Sequence, residues 1–230
     1  MTTAPPPKKS DLGVRTASAV VMIAVAGSAL WLGGYWWTAF VAAVALGVLW
    51  EWWGLVWAFA PGLTASAGWL VLGLIYIGGA AYMLVFLRIP EFGPAPILLL
   101  VSTVIAVDVG AYFAGRTIGG PKIAPSISPS KTWAGLAGGM VAATLIVWIG
   151  AHEVGKLNPW LIVGAPLVAI VAQIGDFFES WLKRRAGVKD SGALIPGHGG
   201  LFDRVDGLIA VAFALELAGL VIPLFFNPNI

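Results

Sequence analysis

Acidic and basic residues are concentrated in one short part of an otherwise apolar chain. The segment from Asp176 to Asp206 spans 31 residues and holds ten of the 24 charged residues of the protein. Those ten are Asp176, Glu179, Lys183, Arg184, Arg185, Lys189, Asp190, Asp203, Arg204 and Asp206. Two acids lie near the end of one apolar run and two begin the next, so a folded-back loop would bring four carboxylates together.

This composition suits a metal ion and a polyphosphate. Carboxylates are hard oxygen ligands, and Mg²⁺ typically takes one or two of them while also binding substrate phosphates. Lysine binds phosphate as a point charge and arginine as a bidentate fork. Glycines at 187, 192, 197, 199 and 200 would let the backbone approach a ligand closely. The segment therefore predicts a site for a metal and a phosphate chain.

Simpler interpretations exist for single members of the segment. Glu179 and Lys183 are four residues apart and could form an ordinary ion pair at a helix end. The basic run 183–185 could anchor a helix at a membrane surface. The combination of buried acids, bases and glycines favours a functional site.

A second polar stretch runs from Arg116 to Thr132. Its hydroxyl and ammonium groups, among them Ser128, Lys131 and Thr132, could hold the phosphates or the base of a nucleotide. The alternative is a polar loop with turn residues. Lys131-Thr132 matches only the end of a Walker A loop, so that motif is not predicted.

Four isolated polar residues allow more than one role. Asp108 lies inside an apolar run and could face the site or make a helix–helix hydrogen bond. Glu51 and Glu216 are interpreted as interfacial or packing residues. His198, between glycines of the charged segment, favours substrate contact over the structural role that a lone histidine usually has.

The elements that carry these residues are membrane helices. Hydrophobic residues make up 59% of the chain and charged residues 10%, against about a quarter charged in soluble domains. Continuous apolar runs without period-2 alternation select helices over a barrel. We expect an all-α polytopic membrane protein with about seven spans around a cytoplasm-facing polar cavity. The predicted spans are 16–32, 35–57, 64–87, 95–114, 133–151, 160–182 and 207–226.

The same runs define the expected organisation. A disordered cytoplasmic tail covers 1–15, N-terminal transmembrane helices cover 16–95, and a catalytic transmembrane region covers 96–230 with cytoplasmic loops 115–132 and 183–206. The chain has no cysteine, which excludes disulfides and thiolate chemistry. No basic, aromatic-laced face suggests nucleic acid binding.

The distribution of lysine and arginine predicts orientation, since basic residues favour the cytoplasmic side. With the N-terminus inside and seven spans, eleven basic residues face the cytoplasm and two, Arg88 and Lys156, face out. We therefore expect an integral membrane protein whose site faces the cytoplasm.

The charged segment also resembles a known family signature. Residues 180–206 read SWLKRRAGVKDSGALIPGHGGLFDRVD, which looks like the signature of the phosphatidate cytidylyltransferases, or CDP-diacylglycerol synthases. The stretches QIGD (173–176), DVGAYFAGR (108–116) and ISPSKTW (127–133) resemble the same family.

The resemblance implies helices around a polar, cytoplasm-facing cavity, usually in a homodimer in the lipid bilayer of the bacterial inner membrane. It implies Mg²⁺-dependent transfer of CMP from CTP to phosphatidic acid, with a second metal ion as an option. Carried onto this chain, the implied metal ligands are Asp176 and Asp203, with Glu179 as a further candidate. The implied catalytic and phosphate-binding residues are Lys183, Arg184, Lys189, Asp190, His198, Arg204 and Asp206. Ser128, Lys131 and Thr132 become candidates for CTP.

Two other functions compete with this expectation. A CTP-dependent polyprenol kinase would also join a nucleotide and a lipid, but it should not show the full 180–206 pattern. A transporter could use Asp108, Asp176 and Asp203 as an ion path, although such proteins often contain inverted repeats and no repeat is visible in this sequence.

Overall fold

A computed structural model describes residues 12–153 and 159–221, which contain seven helices and one small sheet. The helices are α1 Leu12–Leu32, α2 Gly34–Phe59, α3 Leu63–Phe86, α4 Ala95–Thr117, α5 Trp133–Glu153, α6 Pro159–Arg185 and α7 Phe202–Val221. The strands β1 Lys122–Ala124 and β2 Ser128–Thr132 lie between α4 and α5. The predicted polytopic helical fold is confirmed.

Six of these helices, α1 to α6, are long and apolar enough to cross a membrane. They match the first six predicted spans to within a few residues at each end. The seventh helix, α7, carries Asp203, Arg204, Asp206 and Glu216, and the predicted span 207–226 runs past the described residues. Of the predicted tail 1–15, residues 1–11 lie outside the described part, and the remainder forms the first turn of α1. Lys156 also lies outside it.

The α4–α5 pair is held close by small residues. Gly135 and Gly139 on α5 are buried against α4. A Cβ added to Gly139 would lie 3.1 Å from the carbonyl oxygen of Val107, and one added to Gly138 would lie 2.6 Å from that of Gly110. Helices in lipid associate through such close backbone approach.

The polar stretch after α4 forms a β-hairpin rather than an irregular loop. The strands pair antiparallel with Lys122 opposite Thr132 and Ala124 opposite Ser128. The hairpin closes against the next helix, because the Trp133 N–H donates to the carbonyl of Pro121 at 3.2 Å. This fold delivers Lys131 and Thr132 directly to the start of α5.

The central core is built around Trp52 of α2. Its indole is only 1% exposed, and its ring packs against Tyr76 of α3, Phe178 of α6 and Phe202 of α7. The indole N–H donates to the carbonyl of Trp69 at 3.0 Å. The residue before Trp52 in α2 is Glu51, so this packing also fixes the position of an acid beside α7.

At the opposite end of the bundle, Arg88 closes the C-terminus of α1. Its guanidinium donates to the carbonyls of Leu30 at 2.9 Å and Trp31 at 3.4 Å. The last carbonyls of a helix have no partner within the helix and are commonly satisfied by basic side chains. The α1–α2 turn therefore lies beside the C-terminus of α3, away from the charged segment.

Candidate active site

The charged segment folds so that Lys183 lies between two acids. Its ammonium donates to Glu179 Oε2 at 2.5 Å and to Asp203 Oδ1 at 2.6 Å. The Lys183 side chain is 13% exposed and that of Glu179 only 2%. The simple ion pair expected from spacing is therefore present, but α7 contributes a second acid to it. In this structure Lys183 neutralises carboxylates, whereas the resemblance implied that it binds phosphate.

Asp203 is the most heavily hydrogen-bonded of these acids. Its Oδ2 accepts from the Ser191 N–H at 2.9 Å, the Ser191 hydroxyl at 3.0 Å and the Gly200 N–H at 3.1 Å. Asp203 stands in the first turn of α7, ahead of the apolar run that starts at Gly207. Burial alone would raise the pKa of Asp203, but its bonds with Glu179, Lys183 and the Ser191 backbone lower it to about 2.

Glu51 ties the same loop to α2. It is 3% exposed. Its carboxylate accepts from the Leu201 N–H at 2.9 Å, the Phe202 N–H at 2.8 Å and the Ser191 hydroxyl at 2.8 Å. The first N–H groups of a helix have no partner within the helix and favour a negative charge. Glu51 therefore caps α7 from outside, so of its two interpretations, as an interfacial or a packing residue, the structure favours packing.

Asp176 forms a second charged centre with the hairpin. Its carboxylate is ion-paired with the Lys131 ammonium of β2, and Asp206 of α7 faces it. The carboxylate of Asp206 also accepts from the Gly207 N–H at 2.8 Å. The expected meeting of acids from α6 and α7 is thus present, with Glu179 beside Asp203 and Asp176 beside Asp206.

The donor set of these two centres suits Mg²⁺. All four acids offer hard oxygen atoms, and Glu179 Oε1 is buried without a hydrogen-bond partner within the described residues. In the same part of the chain, no three acidic or histidine side chains converge as a ready-made metal cluster. Lys131 and Lys183 instead supply the positive charge beside the acids, so the metal site stays a prediction.

A polar cavity of about 450 Å³ opens beside the Asp176 centre. Lys131 and Thr132 line it, together with Asp108, whereas Ser128 does not. Thr132 also caps α5, since its Oγ1 accepts from the Gly135 N–H at 3.0 Å. The predicted nucleotide-binding residues are therefore only partly brought together.

Arg204 and His198 lie at the edge of the cluster. Arg204 donates to the His198 carbonyl at 2.7 and 3.2 Å, and His198 Nδ1 is 2.9 Å from the Ser18 hydroxyl of α1. Arg204 also borders an apolar cavity of about 450 Å³ between α1, α2, α3 and α7. Three other predicted residues, Arg184, Lys189 and Asp190, are exposed near the end of α6 and in the loop after it.

Three site residues escaped prediction: Glu51, Ser191 and Gln173. The sequence did contain a signal for Glu51. An isolated acid within a Trp-rich apolar run costs free energy to place in a membrane, and such acids usually have a function. Ser191 lay inside the recognised signature, but hydroxyl partners cannot be inferred from order in the chain. Gln173 lines the polar cavity and is 6% exposed.

Comparison with known proteins decides the family. Residues 61–221 match the model of the cytidylyltransferase family. The chain belongs to this family. The assignment confirms the resemblance of the 180–206 signature, and the matched region contains both charged centres and the hairpin.

Similar proteins support the same family along nearly the whole chain. The phosphatidate cytidylyltransferase of Brucella suis is 36% identical, with 96% of this chain and 97% of that protein covered. The phosphatidate cytidylyltransferase of Rickettsia bellii is 35% identical over 89% of each chain. A third, from Rickettsia prowazekii, is 35% identical over 81% of this chain and 78% of that protein.

Proposed function

We propose that this protein transfers the CMP group of CTP to phosphatidic acid, forming CDP-diacylglycerol and pyrophosphate. The observation that carries the proposal is the pair of charged centres, Lys183 with Glu179 and Asp203, and Lys131 with Asp176, at adjoining ends of α6, α7 and the hairpin. The names of the similar proteins support the same substrates.

The reaction needs no protein nucleophile. A phosphate oxygen of the lipid attacks the α-phosphorus of CTP, and the bond from that phosphorus to the bridging oxygen of the β-phosphate breaks. Both reactants are anions, so the protein must hold them in line and offset their charge. Lys131 and Lys183 are placed for this, since each ammonium lies in the cluster and can exchange a carboxylate for a phosphate oxygen.

Mg²⁺ is part of the proposal. Glu179 and Asp203 in one centre and Asp176 in the other would offer its ligands, and when bound it would neutralise phosphate oxygens and stabilise the leaving pyrophosphate. Ser191 and Gly200 keep Asp203 in one orientation through their backbone N–H groups and through the Ser191 hydroxyl that Asp203 shares with Glu51. Such outer contacts fix the geometry of a metal-binding carboxylate.

The apolar cavity beside Arg204 suits the lipid. Its wall is almost entirely aliphatic and aromatic, and among the described residues that line it Arg204 is the one that carries a charge. An acyl chain would occupy the cavity with the lipid phosphate towards the guanidinium, which binds phosphate well. Lipid would then enter from the bilayer while CTP enters from water.

Orientation and assembly complete the proposal. The site faces the cytoplasm, where CTP is made, and the protein lies in the bacterial inner membrane as a homodimer. The excess of basic residues at the charged end of the bundle supports this orientation.

The fate of an isotope label placed at different phosphorus atoms of CTP tests the reaction. Purified protein in lipid nanodiscs is given phosphatidic acid, Mg²⁺ and CTP labelled at either the α- or the γ-phosphorus. We expect α-label in lipid and γ-label in pyrophosphate. Gamma-label in lipid would instead indicate a kinase, and label in neither lipid nor pyrophosphate would leave the transporter alternative.

Single cysteines test the orientation, because the natural chain contains none. Lys189→Cys places a thiol in the loop after α6, and Glu91→Cys places one between α3 and α4. In intact cells, a membrane-impermeant maleimide should label only position 91. Labelling of position 189 alone would reverse the orientation.

A further inference from the structure

The polar cavity beside Asp176 is lined by two chemically different sets of groups. Arg116 and Lys131 supply cations, Arg116 near the end of α4 and Lys131 through its ion pair with Asp176. Asp108 and Gln173 line the same cavity, and Asp108 precedes Arg116 by eight residues on α4. At 1.5 Å per residue, that separation is roughly 12 Å along the helix. A ligand filling the cavity would meet hydrogen-bonding groups at Asp108 and Gln173 and positive charge at Lys131 and Arg116.

Gln173 is the unusual member of this lining. It is 6% exposed, and its Nε2 has no hydrogen-bond partner within residues 12–153 and 159–221. An amide donor buried without a partner is unfavourable, so native proteins rarely retain one without a reason. The lining position of Gln173 means that a bound molecule can provide the missing acceptor.

Asp108 lines the same cavity with acceptor atoms. No described residue donates a hydrogen bond to its carboxylate, and the helix–helix bond considered for it is absent from the described part of the chain. The nearby charges that act on it are those of Asp176 and Lys131. The cavity thus offers one unused amide donor and one carboxylate acceptor.

We propose that this cavity binds the cytosine base of the nucleotide, with Asp108 accepting from the 4-amino group and Gln173 donating to a ring acceptor. This inference rests on the proposed function. Cytosine presents an N4 amino donor that aspartate recognises, and its N3 and O2 are acceptors. Uracil places an oxygen at position 4, which would face the Asp108 carboxylate. A cavity of about 450 Å³ is within the size range of small-ligand sites.

The triphosphate then points towards Lys131. The Lys131 ammonium is ion-paired with Asp176, so Lys131 connects the cavity to the charged cluster. A nucleotide with its base between Asp108 and Gln173 would carry its phosphates to the acids that the proposed function uses. Asp108 and Gln173 are therefore residues that determine base specificity.

Equilibrium binding of CTP and UTP by the full-length protein tests the inference. Asp108→Asn is a conservative change of a side chain that is partly exposed. Gln173→Glu replaces the amide donor with a carboxylate acceptor. We expect wild type to prefer CTP, and each variant to lose about tenfold or more of that preference, the scale of one specific base contact. Ser102→Ala on α4, whose hydroxyl bonds its own helix at Leu98, should keep the wild-type preference.

The outcomes separate the inference from the proposed reaction. Folded Asp108→Asn protein with undiminished preference for CTP would overturn the base site, even if wild type makes CDP-diacylglycerol. Selective CTP binding that both variants lose, in a protein that transfers no CMP to phosphatidic acid, would support the base site and refute the reaction. Equal binding of CTP and UTP by wild type would overturn the base site.

Discussion

Glu51 Oε2 and Ser191 Oγ lie 2.8 Å apart, although 140 residues separate them in the chain. The same hydroxyl lies 3.0 Å from Asp203 Oδ2. A serine hydroxyl has one hydrogen and can donate to only one of these carboxylates at a time. Glu51 and Asp203 therefore share one donor, and the N-terminal helix α2 is directly coupled to the acid cluster.

Removing the Glu51 carboxylate should destabilise the protein. Glu51→Ala leaves the Leu201 and Phe202 N–H groups without their acceptor, and each buried unsatisfied group costs about 1–3 kcal/mol. We expect a clearly lower midpoint of thermal unfolding in detergent. Glu216→Ala, an acid on α7 with no hydrogen bond in the described structure, is the matched control and should change the midpoint little. Equal midpoints for the two variants would show that the cap contributes nothing.

Neutralising either central aspartate should abolish turnover while the fold is retained. Asp176→Asn and Asp203→Asn remove one charge each and keep the side-chain shape. If these carboxylates hold Mg²⁺, the loss should exceed the about 100-fold seen for groups that only orient a ligand. CDP-lipid formation is measured across a Mg²⁺ titration, with unfolding followed in parallel. Glu153→Gln, at the far end of α5, is the control. Wild-type turnover in either folded variant would remove that residue from the metal site.

The Lys131 ammonium should matter for CTP more than for the lipid. Lys131→Met breaks the ion pair with Asp176 and removes a cation from the polar cavity. Hydrogen bonds to charged groups contribute about 1.5–3 kcal/mol, so KM for CTP should rise about tenfold or more. Lys122→Met, which removes an exposed lysine of the same hairpin, should leave KM near wild type. A larger change in KM for phosphatidic acid than for CTP would contradict this assignment.

Because α4 and α5 pack closely, adding even a methyl group where they touch should destabilise the protein. A Cβ at Gly138 would lie 2.6 Å from the Gly110 carbonyl oxygen. Gly138→Ala must push the helices apart, and overpacking of this kind typically costs about 1–3 kcal/mol. Gly54→Ala on α2, where a Cβ would meet no atom within 4 Å, should be neutral or slightly stabilising. Unfolding midpoints of the two variants give the comparison, and a neutral Gly138→Ala would refute the tight contact.

The helices were predictable because their signal is local. Apolar runs such as that of α3 depend only on neighbours in sequence, and the helices appear where these runs predicted them. The β-hairpin was missed since its strands are short and rich in serine and proline. The pairing of Lys122 with Thr132 leaves no alternation of apolar and polar residues from which it could be predicted.

The sequence identified several residues of the site but not which of them contact one another. The charged segment identified Asp176, Lys183 and Asp203, yet their partners depend on how α6, α7 and the hairpin meet. Lys183 lies between Glu179 and Asp203. The spacing of four residues identified Glu179 as a possible partner of Lys183, but sequence order carries no information on Asp203, which is 20 residues away.

The anchoring of the α7 N-terminus by Glu51 has a consequence for dissecting this protein into fragments. The region matched by the family model begins at residue 61, downstream of Glu51. A truncation at that boundary would retain every residue of the 180–206 signature and would still remove the acceptor of two backbone N–H groups, those of Leu201 and Phe202. Helix α2 is thus required to hold the N-terminus of α7, and minimal versions of the enzyme should start upstream of α2.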